Sequence, residues 1–135
     1  MIDLLLVGSD HIFLPALAMV IEDRVPECRV SAQSHTLTDA AVILAEQNTI
    51  TTAIVDLDHW TGDLVTVMED LRRQRPELAV LLLTDPETAH LVPPLGEAGA
   101  TQVVDKSQPL SAILDGVRRL TGRASEPSAG VSGRN

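Results

Sequence analysis

Short apolar runs alternate with helix-patterned stretches from the first residues to about Gly122, and no hairpin signal joins any two of the runs. That alternation leaves few options. Strands without hairpins need crossover connections, crossovers make neighbouring strands parallel, and the helices then cover both faces of the sheet. Leu78 to Leu83 is the strongest run, apolar at every position, as a strand buried on both sides requires. Leu4-Leu5-Leu6-Val7 is similar and ends at Gly8. Cys28 to Ala32 is a weaker strand, Thr52 to Leu57 is β-branched and ends on carboxylates, and Gln102 to Val104 is the last.

The stretches between them read as helices. His11 to Arg24 is apolar around much of its circumference, with Pro15 tolerable because it falls in the first turn. Thr36 to Gln47 opens on a cap, Thr36 or Thr38. Gly62 to Gln74 carries Leu64, Val67, Met68 and Leu71 at helical spacing and stops at Pro76. Pro86 to Ala98 is helical by its place in the pattern, yet Pro93 and Pro94 sit in its middle, so the helix must be short, bent or partly unwound. Pro109 opens a last helix with Leu110, Ile113, Leu114, Val117 and Leu120 on one stripe. Five strands and five helices predict a doubly wound α/β domain over residues 1–121. Residues 122–135 are rich in Ser, Gly, Pro and Arg and read as a linker to a further domain or as a frayed tail.

Composition narrows the function. The chain has 135 residues, 44% of them hydrophobic, enough for one domain with a packed core. Phe13 and Trp60 are its only Phe, Trp or Tyr residues, so the core is aliphatic. Ten basic residues against nineteen acidic ones give a net charge of −9, which repels nucleic acid. A single cysteine, Cys28, allows no internal disulfide and suits a reducing cytoplasm. Neither an export signal nor a membrane span is expected.

In open parallel sheets, functional groups gather beyond the carboxyl ends of the strands. Four such ends are polar here: Gly8-Ser9-Asp10, Asp56-Leu57-Asp58, Thr84-Asp85 and Asp105-Lys106. Neither a Ser-His-Asp nor a Cys-His arrangement nor a Gly-rich phosphate loop is visible, so enzymatic activity is not expected.

From AIVDLDHWTGD, LRRQRPELAVLLLTD and LGEAGATQVVDK outward, residues 2 to 121 resemble the receiver domain of two-component response regulators, CheY-like and especially of the NarL/FixJ type. The resemblance implies a flavodoxin-like sheet of order 2-1-3-4-5. It makes Asp56 the phosphoacceptor equivalent, Thr84 the switch hydroxyl and Lys106 the phosphate-binding lysine. In the family an acidic pair after the first strand joins the acceptor in holding Mg²⁺. That pair falls at Gly8 and Ser9, neither of them acidic. Asp85 stands where a small residue usually admits the phosphoryl group, and at a few ångströms it repels phosphate by ~1–4 kcal/mol. Val103 replaces the switch aromatic, and Trp60 replaces the proline after the acceptor turn.

Each of these residues has a plainer role available. Asp56 is either an acceptor or a strand-end carboxylate paired with Lys106. Thr84 is either a switch or a strand terminus that bonds backbone. Asp10, Asp58 and Asp85 are either substitute acids that form a cation site with Asp56 or solvated loop acids. His11, His35, His59 and His90 lack metal-ligand spacing and read as surface or capping residues, with His59 and Trp60 near the pocket. Arg72, Arg73 and Arg75 complement a helix dipole.

The expectation is an atypical receiver without magnesium, working through protein contact. It would form a homodimer or heterodimer through its fourth helix, last strand and last helix, and reach DNA only through a helix-turn-helix domain beyond this chain. Two alternatives stand beside it. In one, a histidine kinase phosphorylates Asp56, with Asp10 or Asp85 repairing the metal site. In the other, a small molecule occupies the pocket.

Overall fold

The computed structural model describes residues 1–58, 64–97, 100 and 102–125, the last three of these by backbone alone. The elements run β1 (Ile2–Val7), α1 (Phe13–Arg24), β2 (Cys28–Ser34), α2 (Leu37–Glu46), β3 (Ile50–Asp56), α3 (Leu64–Gln74), β4 (Ala79–Thr84), a 3₁₀ turn (Ala89–Leu91), α4 (Val92–Glu97), β5 (Gln102–Asp105) and α5 (Leu110–Ser125). All neighbouring strands are parallel, in the order β2-β1-β3-β4-β5. This is the doubly wound, flavodoxin-like sheet that the alternation and the resemblance predict. The strand order reverses at β1 and β3, which opens a crevice beyond their carboxyl ends.

Side-chain alternation divides the core into two layers. Leu4 and Leu6 of β1 and Leu81 and Leu83 of β4 pack with Leu14, Leu17 and Ile21 of α1 and Ile113, Leu114, Val117 and Leu120 of α5. Leu5, Val7, Val80 and Leu82 point the other way, to Leu37, Ala40 and Leu44 of α2, Met68 and Leu71 of α3 and Leu95 of α4. Each central strand is thus covered on both faces, which is why the middles of β1 and β4 are apolar at successive positions.

Several boundaries differ from the sequence reading, each for a local reason. α1 starts at Phe13 rather than His11, because the Asp10 carboxylate accepts from the amides of Ile12 (2.9 Å) and Phe13 (2.8 Å) and holds the preceding turn. Thr36 is the cap of α2, accepting from Asp39 N at 3.0 Å. α4 begins only at Val92, so Pro93 and Pro94 fall in its first turn, where their missing amides break no helical bond. Leu110 is 42% exposed and does not join the buried stripe of α5. That helix also continues past Gly122 to Ser125, so residues 122–125 are helical where an irregular segment was expected. Gly122 does not adopt the left-handed conformation by which a glycine ends a helix. Residues 126–135, the remainder of the expected linker, lie outside the described residues.

Arg75 also departs from its expected role. It turns inward, and its guanidinium donates to the carbonyls of Leu44 (3.1 Å), Asn48 (3.5 Å) and Ile50, joining the end of α2 to the start of β3. Arg72 bonds the carbonyl of Leu78, and Arg73 pairs with Asp70 at 2.6 Å on the surface.

Candidate functional site: the carboxyl edge of β1, β3, β4 and β5

Strand registry brings three of the pocket residues together. Asp56 ends β3 opposite Leu83, and Thr84 ends β4 opposite Asp105, so Lys106 follows directly beside them. The Lys106 amide donates to the Thr84 carbonyl at 2.7 Å, fixing where its side chain starts. Its ammonium then reaches both Asp56 oxygens, at 3.1 and 3.0 Å, and Asp58 Oδ2 at 3.5 Å. The Phe13 ring centre lies 4.7 Å from the same nitrogen, a cation–π contact.

Asp56 is 1% exposed and the Lys106 side chain 18%, so this ion pair is largely screened from water. Burial opposes the Lys106 charge, but the hydrogen bond and attraction of Asp56, with a further contribution from Asp58, outweigh it and raise the lysine above its ordinary value. Asp56 Oδ1 accepts a further bond from Asp58 N at 3.0 Å. Among the described residues, the Asp56 carboxylate is therefore held by the Lys106 ammonium and the Asp58 amide.

The residues offered as substitute acids are placed differently from one another. The Asp10 carboxylate accepts from the amides that lead into α1, as described above. Asp85 Oδ1 accepts from Glu87 N and Thr88 N, both at 3.0 Å, and from Thr88 Oγ1 at 3.1 Å, stabilising the turn after β4. Asp58 alone joins the Lys106–Asp56 pair. Among the described residues, no three His, Cys, Asp or Glu side chains converge to hold a metal ion.

Gly8, where the resemblance leads one to expect an acid, is packed against Asp56. A Cβ there would stand 2.9 Å from Asp56 Cβ and 3.0 Å from Leu14 Cδ1. Asp56 Cβ is rooted on a central strand and cannot withdraw. A side chain at position 8 must therefore displace β1, β3 or α1. Ser9 Oγ donates to the Asp58 carbonyl at 3.2 Å, tying the loop after β1 to the loop after β3. Gly8→Ala is expected to cost about 1–3 kcal/mol, visible as a lower thermal midpoint. An unchanged midpoint would show that the pocket has slack.

Thr84 is buried at the end of β4, and Val103 is 42% exposed on the edge strand β5. His59 and Trp60 lie outside the described residues. Cys28 is buried, and burial raises its thiol above the ordinary value, the signature of an unreactive group. Among the described residues, no helix is long and apolar enough to cross a membrane.

Sequence reasoning missed two features of this edge. His11 and His35, from the turns after β1 and β2, have ring centres 4.1 Å apart. His35 Nδ1 also lies 3.3 Å from the Gly8 carbonyl. Their separation in sequence hid the pair, and only the β1–β2 registry, Val7 beside Ser34, could have suggested it.

No family model and no curated protein matches the sequence. Solved structures do match in shape. A LuxR-family two-component response regulator from Aurantimonas superposes with a TM-score of 0.78 at 21% identity, covering 89% of this chain and 85% of that one. A putative pilus assembly protein from Burkholderia thailandensis gives 0.77 at 19% identity, covering 90% and 99%. The isolated receiver domain of RcsB from Salmonella enterica, solved with a phosphomimetic beryllofluoride, gives 0.75 at 15% identity, covering 90% and 88%. With its strand order, its two helical layers and the lysine–aspartate pair at the carboxyl edge, this chain has the fold of a response-regulator receiver domain.

Proposed function

We propose that the chain is an atypical receiver that signals by contact with other proteins and does not depend on phosphorylation of Asp56. The observation that carries this reading is the fit around Gly8: where the family places a metal-holding acid, a single Cβ already meets Asp56 and Leu14. Three further observations support it. Asp10 and Asp85 use a carboxylate oxygen on turn amides, and Lys106 binds both oxygens of Asp56. Magnesium requires near-octahedral oxygen ligands, and oxygens already engaged in this way support a pocket that works without it.

The output proposed is regulation of transcription through a homodimer or heterodimer formed on α4, β5 and α5. Exposed Val103 and Leu110 lie on that face. DNA would be reached through a separate tethered domain, consistent with the acidity of this chain. The likeness to a pilus assembly protein favours a second reading, in which the same face docks on another protein of an assembly and no DNA is involved.

One experiment tests the central claim. The chain is incubated with a small phosphodonor and Mg²⁺, then analysed by intact-mass spectrometry and by size-exclusion chromatography. We expect no mass adduct and an elution volume unaffected by the donor. A phosphoryl group mapped to Asp56 would replace this reading with that of an ordinary kinase-dependent switch.

A further inference from the structure

We propose that His11 and His35 form a binding clip for a borderline transition-metal ion of the zinc class, outside the Asp56 pocket. The two imidazoles come from different turns, after β1 and after β2, yet their ring centres are 4.1 Å apart at a tilt of 44°. Both side chains are exposed, so a hydrated ion can reach them.

Tautomer chemistry makes the pair more than a chance stacking. A backbone carbonyl can only accept, so the contact between His35 Nδ1 and Gly8 O requires the proton on Nδ1. In the neutral ring, Nε2 then carries the lone pair. A histidine that donates one nitrogen to a carbonyl and presents the other as a ligand is the usual arrangement at imidazole–metal sites, where the carbonyl fixes ring orientation. Two Nε2 atoms on one tetrahedral zinc ion stand roughly 3.3 Å apart, given Zn–N bonds of about 2.0–2.1 Å. Ring centres of two imidazoles sharing one such ion stand roughly 5 Å apart, so these rings, now 4.1 Å apart, open by side-chain rotation to take it, with water completing the coordination. The net charge of −9 favours the approach of a cation.

Imidazole nitrogen selects zinc, copper or nickel over magnesium, which prefers oxygen. The carbonyl that orients His35 belongs to Gly8, whose Cα lies against Asp56. Bound metal would therefore clamp the β2–α2 turn to the strand end beside the pocket.

The test is a calorimetric titration of the full chain with zinc chloride in excess magnesium, above the pH at which free imidazole is protonated. The expected result is one zinc per chain, weakened at least tenfold by His11→Ala and equally by His35→Ala. His90→Ala, in the 3₁₀ turn after β4, should leave the affinity unchanged. Because both ligands are exposed, the variants should retain the wild-type circular dichroism and thermal midpoint. Absence of zinc binding, binding indifferent to either substitution, dependence on only one of the two histidines, or displacement by magnesium would each overturn the proposal.

Discussion

Replacing Lys106 with methionine lowers the stability of the domain by about 3 kcal/mol at neutral pH. Methionine keeps much of the apolar stem but removes the one cation that binds both oxygens of Asp56. The carboxylate is 1% exposed and cannot turn to water. Without its partner, a carboxylate in that place stands unpaired away from water. The wild type has a pH dependence of its own. Its raised lysine contributes fully below the ordinary lysine pKa of 10.5 and loses that contribution only as the pH climbs beyond it. Urea denaturation of both proteins at neutral pH reads the difference. A variant as stable as the wild type would mean that the Lys106–Asp56 pair does not support the fold.

Arg75→Met should have a comparable effect, about 3 kcal/mol or more, through backbone groups and not through charge pairing. The guanidinium serves the carbonyls of Leu44, Asn48 and Ile50 at a position 9% exposed to solvent. Methionine fills a similar volume but donates nothing, and each orphaned buried carbonyl costs about 1–3 kcal/mol. Glu77, the ionic partner at 3.4 Å, is mostly exposed and contributes little. Against a typical total stability of about 5–15 kcal/mol, the loss should lower the thermal midpoint by roughly 10 °C. Arg75→Lys should recover only part of it, since one ammonium cannot span three carbonyls in the geometry of a planar fork. A variant within 2 °C of wild type would show, on the same scale, that the clamp is dispensable.

These two residues mark how far the sequence could be read. The parallel, doubly wound sheet was legible because it follows from the alternation of apolar runs and helical stripes, which are local patterns, whereas the strand order was what the family resemblance implied. The strand-end groups were legible because strand termini in this architecture share one edge, so Asp56 and Lys106 had to be neighbours. Roles that depend on backbone direction were not. Asp10 has the same composition signal whether it faces a cation or the amides of Ile12 and Phe13, and only the turn conformation decides. Arg75 sits in a basic run that suits a helix end, and its inward turn becomes visible only once α2 and β3 are packed beside it. The crowding at Gly8 is a matter of tenths of an ångström, beyond any pattern. The reach of α5 to Ser125 was hidden because glycine, alanine and serine suit both a tail and a helix end.

The brevity of α4 carries a consequence for motion. This helix has six residues, two of them prolines without an amide hydrogen, and a single fully buried anchor, Leu95. Withdrawing one leucine from a core costs about 1.5–3 kcal/mol, well below the free energy of global unfolding. The segment should therefore detach and re-seat many times during the life of one folded molecule, while the sheet beneath stays closed. Amide exchange would be fastest there.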